Sequence, residues 1–318
     1  MANRLKKSFL IAVGGNSLIR AGQKGTIPEQ FANARLACAQ IVDVVSRGYS
    51  LVLTHGNGPQ VGSQLLRSEL GSSQAYTLPL DVCVAMTQGE IGYILQTSMQ
   101  SVLRERGNNT HVAALVTQVL VDRNDPAFGH PTKPIGPFYL EEIAQRKMEE
   151  LGWSIIEDAA RGYRRVVPSP KPLEIIELDI IRNCLGQGMV VIACGGGGIP
   201  VVAENNSIHG VEAVIDKDRA SALLASQLGM ERMAISTDVE QVFINFKKTE
   251  QQPIRSIDVR QAKQYMSDGQ FLEGSMKPKI EAAINFLEAG GEEVIITNPE
   301  HLTSALDGVT GTHIFREK

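Results

Sequence analysis

The sequence predicts an α/β fold on a largely parallel sheet, and three features carry that expectation. Short, wholly apolar runs recur along the chain and several end in glycine. Segments with apolar residues three and four positions apart lie between them. The two kinds of segment alternate, which is the pattern of strands joined by crossover helices, with the sheet covered on both faces.

The first strand is expected at Phe9–Val13, an uninterrupted apolar run that meets Gly14-Gly15-Asn16. Continuous apolarity, instead of alternation, suits a strand buried on both faces. Phe31, Ala34, Cys38, Ile41 and Val45 then follow at spacings of 3, 4, 3 and 4. That is one stripe of a helix, with Gly48 as its stop. Ser50–Thr54 reads as a second buried strand and Val112–Val116 as a third. A helix is expected around Ile175–Leu185, a strand at Met189–Cys194 and a helix from about Asp218 to Leu228. Further strands are expected at Met233–Ser236, Val242–Asn245 and Val294–Ile296, with a helix at Pro278–Ala289 between the last two.

One segment departs from this rhythm. Asp122 to Pro172 holds Pro126, Pro131, Pro134, Pro137, Pro168, Pro170 and Pro172, together with Trp153 and the cluster Arg161, Arg164, Arg165. Its length, with apolar runs of its own, exceeds that of a plain loop. It is expected to be an inserted, protruding subdomain or lid (residues 122–172) within one domain that spans residues 1–318.

Composition narrows the function. A net charge of −4 and a pI near 5.9 lack the basic stripe of a nucleic-acid binder, and a 5% aromatic share disfavours base-stacking platforms. Cys38, Cys83, Cys184 and Cys194 form no C-x-x-C pair, so buried thiols in a reducing cytoplasm are expected. Phe9–Val13 is too short for a signal-peptide core. The uncharged stretch Asn183–Ala203 contains Pro200 and too many glycines to span a membrane.

The chemistry gathers at glycines and lysines. Gly14-Gly15-Asn16, His55-Gly56-Asn57-Gly58-Pro59 and Gly195-Gly196-Gly197-Gly198 each follow an expected strand. Ligands of open α/β sheets lie at the carboxyl ends of strands, where bare backbone N–H groups can approach an anion. Three such loops point to a polyphosphate. No G-x-x-x-x-G-K-[ST] and no helix-opening G-x-G-x-x-G is present, which disfavours a P-loop or a dinucleotide site. No G-x-S-x-G is present either. Lys217 stands between Asp216 and Asp218 at a strand-to-helix junction. Lys279 falls in the first turn of the helix opened by Pro278, where a cation opposes the helix dipole unless it serves an anion. Lys133 lies between prolines of the inserted segment. Lysines with glycine loops suit phosphoryl transfer, whose catalysis is mostly positioning and charge neutralisation. Asp218 is read as the orienter of the amines, or alternatively as a helix N-cap. His55 reads as structural and Cys194 as an inert buried thiol.

At these residues the sequence resembles a known family. The stretches His55–Gly62, Asp122–Gly136, Val167–Pro170, Gly195–Val201, Gly210–Asp218 and Gly274–Lys279 are similar to those of the carbamate kinases, within the amino-acid kinase fold, and the likeness runs from about Leu10 to His313. The resemblance implies a homodimeric three-layer α/β/α sandwich with the small subdomain over the active site. It implies reversible phosphoryl transfer between ATP and carbamate, giving ADP and carbamoyl phosphate, used to make ATP in arginine or purine-derived catabolism. Gly14, Gly15, Asn16, Gly56, Asn57, Gly58, Gly196 and Gly197 would then hold carbamate and the moving phosphoryl group. Lys217 and Lys279 would neutralise it from the nucleotide side, Lys133 would close from the lid, and Asp218 would orient the lysines. Asn245, Phe246 and Met276 would border the nucleotide, and Mg²⁺ would arrive with it, with few or no direct protein ligands. The sequence departs from the family pattern at Ala160, usually glycine, at Phe246, commonly tyrosine, and at Asp238 and Glu240 in Thr237–Glu240. The Arg20–Pro28 loop is longer than usual. The competing readings are a kinase for another small acid and a non-catalytic binding paralogue.

Overall fold

The computed structural model describes residues 7–20, 22–157, 162–272 and 274–316. Among these the main sheet runs β15 (Ser256–Asp258), β17 (Thr312–Phe315), β16 (Glu293–Thr297), β12 (Arg232–Ser236), β1 (Ser8–Val13), β2 (Ser50–His55), β9 (Val190–Ile192) and β3 (Val112–Ala114), labels following chain order. All neighbours pair in parallel except β16 and β17.

Burial explains the continuous apolar runs. Phe9, Ile11 and Val13 of β1 pack on one side, with Leu51 and Leu53 of β2. That face is covered by α1 (Ile27–Ser46), α3 (Leu80–Glu105) and α9 (Leu302–Leu306), through residues such as Ala34, Cys38, Ile91, Leu95 and Leu302. Leu10, Ala12 and Val52 point the other way, against α5 (Leu178–Gly186), α6 (Lys217–Leu228), α7 (Val259–Ser267) and α8 (Met276–Glu288). Alternate residues of one strand therefore feed two cores, and the molecule is a three-layer α/β/α stack. Each fully buried Leu, Ile or Phe contributes about 1.5–3 kcal/mol of transfer free energy.

A second sheet runs β11 (Ser207–Gly210), β10 (Ile199–Glu204), β4 (Gln118–Val121) and β8 (Pro172–Ile175). A short ladder joins β13 (Val242–Ile244) to β14 (Gln252–Ile254). Residues 133–167 build a small sheet of their own from β5 (Lys133–Tyr139), β7 (Tyr163–Val167) and β6 (Ser154–Glu157), carrying α4 (Glu141–Leu151). The remaining helix, α2 (Gly58–Leu70), leads out of the second glycine loop.

Several boundaries differ from the sequence expectation. Ile175 is not helical; it pairs with Val119, the backbone pairing holds it in β8, and α5 starts at Leu178. Asn245 leaves its strand with φ of 51°, a left-handed conformation that asparagine tolerates. Gly48 has φ of 80° just after the Arg47 cap and ends α1 as expected. Helices α2 and α3 were not legible as stripes, because buried positions on them are polar: Gln60, Gln64, Thr87, Gln88 and Ser98. Ala160 and Arg161 lie outside the described residues.

Candidate active site

The strands β1, β2 and β9 are adjacent and parallel, so their carboxyl ends deliver three glycine loops to one edge. The loops touch. A Cβ at Gly56 would stand 3.1 Å from the Gly15 amide nitrogen and 3.7 Å from Lys217 Cδ. Gly196 has φ of 67°, and a Cβ there would stand 2.2 Å from Asn57 Nδ2. Glycine is therefore required where the second and third loops cross. Gly14 rests against the Ser236 carbonyl at the end of β12, and Gly197 against the Ile215 carbonyl. Asn16 shares the 3₁₀ turn Gly15–Ser17 through its backbone; its side chain lies outside the described set.

Buried polar side chains of α3 fix these loops. Asn57 Nδ2 donates to Thr87 Oγ1 at 2.9 Å. Gln88 Nε2 donates to the carbonyls of Thr117 and Gly195, and its Oε1 accepts from the Thr117 amide at 2.7 Å. His55 Nδ1 lies 3.0 Å from the Gly56 carbonyl, so that nitrogen carries the proton. Burial pushes the His55 imidazole down to about 4, which keeps it neutral and structural, as expected. Burial likewise pushes the Cys194 thiol far up, so it is no nucleophile.

The lysines converge. Lys217 Nζ donates to Asp218 Oδ1 at 2.6 Å, and Lys279 Nζ donates to Asp218 Oδ2 at 2.8 Å. Lys133 Nζ, from the start of β5, donates to Asp216 Oδ2 at 2.7 Å. Asp216, not Asp218, is the N-cap of α6: its Oδ1 accepts from the amides of Asp218 at 2.9 Å and Arg219 at 3.3 Å. Asp218 is thereby left to the two ammonium groups. Its side chain is 6% exposed, against 13% for Lys217 and 15% for Lys279, so the triad is largely removed from water.

Burial alone would raise Asp218, yet the two ammonium groups hold it below the usual carboxylate range. Burial lowers Lys217 more than Asp218 restores it, whereas for Lys279 the pull of Asp218 outweighs burial and the amine is raised. Asp238 adds to the hold on Lys279, which places it within electrostatic reach of the site. Asp216 is pushed up by burial but drawn below its ordinary value by Lys133.

These groups line one cleft of about 400 Å³, with Gly15, Gly56, Asn57, Gly58 and Gly196 on its floor and Lys133, Lys217 and Lys279 among its walls. Gly274 and Ser275, ahead of α8, also line it. Asn245, Phe246 and Met276 do not. The Asn245 amide donates to Gln270 Oε1 at 2.8 Å, Phe246 leans on Phe243 with ring centroids 6.3 Å apart, and Met276 packs partly buried on the core. Sequence reasoning missed Thr87, Gln88 and the capping role of Asp216. The only signal for the first two is a polar pair interrupting an apolar helical stripe.

Among the described residues no three His, Cys, Asp or Glu side chains group as a metal cage. Both oxygens of Asp216 and of Asp218 are already engaged by amines or amides. The donor set fits an ion carried on phosphate oxygens better than one held by carboxylates.

Sequence comparison decides the family: residues 7–298 match the model of the amino acid kinase family. This chain belongs to that family. The enzyme is accordingly a phosphotransferase. It is 47% identical to a carbamate kinase of Thermococcus kodakarensis over 98% of this chain and 100% of that protein. It is 45% identical to the carbamate kinase-like protein YahI of Escherichia coli over 98% of this chain and 100% of that one. The solved carbamate kinase of Giardia lamblia bound to AMP-PNP superposes with a TM-score of 0.91 at 42% identity, covering 98% of this chain and 99% of that one. The fold extends to an N-acetylglutamate synthase of Neisseria gonorrhoeae at 16% identity and a TM-score of 0.52, which covers 98% of this chain and 62% of that one. No helix among the described residues is long and apolar enough to cross a membrane.

Proposed function

We propose that this phosphotransferase is a carbamate kinase, interconverting ATP and carbamate with ADP and carbamoyl phosphate. The observation that carries the reading is the pair of ammonium groups on one buried carboxylate, above a floor of glycine loops. Similarity to carbamate kinases over nearly the full chain supplies the substrate class.

In the synthetic direction a carbamate oxygen forms a bond to the γ-phosphorus of ATP while the bond to the bridging oxygen breaks, and ADP leaves with the electron pair. Both partners are anionic, so the barrier is largely repulsion. A lysine about 4 Å from a phosphate oxygen contributes roughly 4 kcal/mol at an effective dielectric near 20. Lys217 and Lys279 spread the charge of the transferring group, and Asp218 holds the two amines at fixed separation. The amides of Gly15, Gly58 and Gly196 donate to oxygens of the phosphoryl group and carbamate, while the Gly56 amide is held by the Val13 carbonyl at 3.0 Å and shapes the loop. Lys133 exchanges Asp216 for substrate oxygens as the 133–167 segment closes. Water is excluded by that closure, which protects carbamoyl phosphate from hydrolysis. Mg²⁺, bound with the nucleotide, supplies further positive charge to its phosphates.

The enzyme acts as a cytoplasmic homodimer in this reading, making ATP from carbamoyl phosphate released by arginine or purine-derived catabolism. Leu36, Met86 and Tyr93 are exposed on α1 and α3, a surface that fits a second copy. The test is ATP formation from ADP with carbamoyl phosphate beside acetyl phosphate and other acyl phosphates, with and without Mg²⁺. Selective use of carbamoyl phosphate is expected; equal or better use of another acyl phosphate would reassign the substrate.

A further inference from the structure

The segment that carries Lys133 is fastened to the body at points away from the cleft. Helix α2 offers one face to it. Gly62 meets β5 so closely that a Cβ there would stand 2.9 Å from Gly136 Cα. Two turns further along that face, Glu69 pairs with Lys147 of α4. The Lys147 side chain is 11% exposed. Its ammonium lies 5.1 Å from the centroid of the Tyr139 ring and 4.9 Å from that of Trp153. The guanidinium of Arg165, from β7, lies 4.6 Å from the same Trp153 centroid and donates to Glu212 Oε2 of the body at 3.1 Å. Glu212 Oε1 in turn accepts from the Leu80 amide, the first residue of α3. Two cations of the segment therefore flank one indole, and each reaches a carboxylate on the body.

We infer that Lys147 and Arg165 are positioning residues: with Glu69 and Glu212 they form a clasp centred on Trp153 that sets how far Lys133 reaches over the phosphates. Gly62–Gly136, with Ile135 and Val167 packed beside Val61 and Leu80, seats the base of the segment, and the clasp holds its outer part. Glu69–Lys147 joins α2 to α4, and Arg165–Glu212 joins β7 to the stretch between β11 and α6, so their loss lets the outer part of the segment swing and withdraws Lys133. Flanking an aromatic ring with cations makes the clasp directional, because the ammonium and guanidinium favour the ring face. Both cations are largely buried, whereas Glu212 is 53% exposed, so removing either carboxylate leaves a cation poorly compensated against the indole. The kinetic consequence rests on the phosphotransfer reading above; the clasp itself does not.

Trp153 is the only tryptophan of the chain, so its quenching by acrylamide reports the clasp with or without turnover. Glu69→Gln and Glu212→Gln remove one charge each from the body without touching the indole or the cleft. Both variants of the full-length enzyme are expected to show stronger Trp153 quenching in the absence of substrate. Both are expected to lose about tenfold in kcat for ATP formation, the scale of a misplaced catalytic group, with KM for ADP within about twofold, because Lys217 and Lys279 stay on the body. Lys147→Arg, which keeps a cation on the rings and its partner Glu69, is expected to retain most of the kcat that Lys147→Met loses. Unchanged quenching in both glutamine variants overturns the clasp. Equal loss of kcat in Lys147→Arg and Lys147→Met also overturns it, since the cation between Glu69 and the rings would then not be what matters. A wild-type enzyme that makes no ATP would reject the proposed function, while the quenching comparison would still decide the clasp.

Discussion

Replacing Asp218 by asparagine tests the electrostatic arrangement at its hinge. The carboxylate sits 2.6 Å from one ammonium and 2.8 Å from another, with 6% of its side chain exposed. At an effective dielectric near 20 and about 4 Å between charge centres, each attraction is worth roughly 4 kcal/mol before desolvation is subtracted. Asparagine keeps the volume but leaves two buried cations uncompensated. Removal of one partner from such a pair costs about 3–5 kcal/mol of stability. The free enzyme should therefore melt markedly earlier, and ADP, whose phosphates replace the lost charge, should recover much of the difference. Turnover should fall by about 10²–10³, or near 3–4 kcal/mol of transition-state stabilisation, because the amines lose their fixed spacing. KM for the nucleotide should not rise, since the field around the phosphates becomes more positive. Melting with and without ADP, together with kcat and KM, checks each part. A variant with wild-type kcat, or one whose only defect is a raised KM, would refute the role given to Asp218.

Other outcomes follow from the same geometry. Lys133→Met should lower kcat by about 10²-fold with only a modest drop in melting temperature, because Lys133 is 36% exposed and the largely buried Asp216 keeps the amides of Asp218 and Arg219; collapse of the fold would make Lys133 structural instead. Gly196→Ala places a methyl group on Asn57 at a left-handed position and should cost about 1–3 kcal/mol with a clear loss of turnover, read by denaturant unfolding and initial rates. Stability should also depend on pH through His313. Its Nδ1 faces Glu293 Oε1 at 2.6 Å and its Nε2 faces the Thr310 carbonyl at 3.0 Å, so only the imidazolium donates to both. The hydrogen bond to Glu293 raises its pKa above the ordinary value of 6.5. A raised native pKa means that the stabilisation is complete below about pH 6.5 and is lost as pH climbs through the native value. Urea midpoints should therefore fall as pH rises above 6.5, and His313→Gln should flatten that segment of the profile.

Much of this site could be read before any coordinates. The strands β1, β2 and β9 announce themselves because both of their faces are buried, and the glycine clusters after them need no long-range information. What the sequence withholds is adjacency. Lys217 and Lys279 lie on α6 and α8, 62 positions apart, and only the packing of those helices on one face of the sheet brings both amines to Asp218. The same limit hid α3. Its stripe is interrupted at Thr87 and Gln88, positions that would be apolar in an ordinary core helix and are polar here because they hold the loops at Asn57 and Gly195. The helix was illegible for the reason that it is functional. Asp218 shows the converse: local chemistry favours a cap near that position, and Asp216 two residues earlier takes it, since its backbone is extended while that of Asp218 is already helical.

The most direct measurement is the rate of ATP formation from ADP and carbamoyl phosphate by the wild-type enzyme and by Lys217→Ala. The account predicts ready turnover in the first and a drop of about 10²–10³ in the second, with the fold intact. Wild-type rates after loss of the Lys217 amine would contradict it.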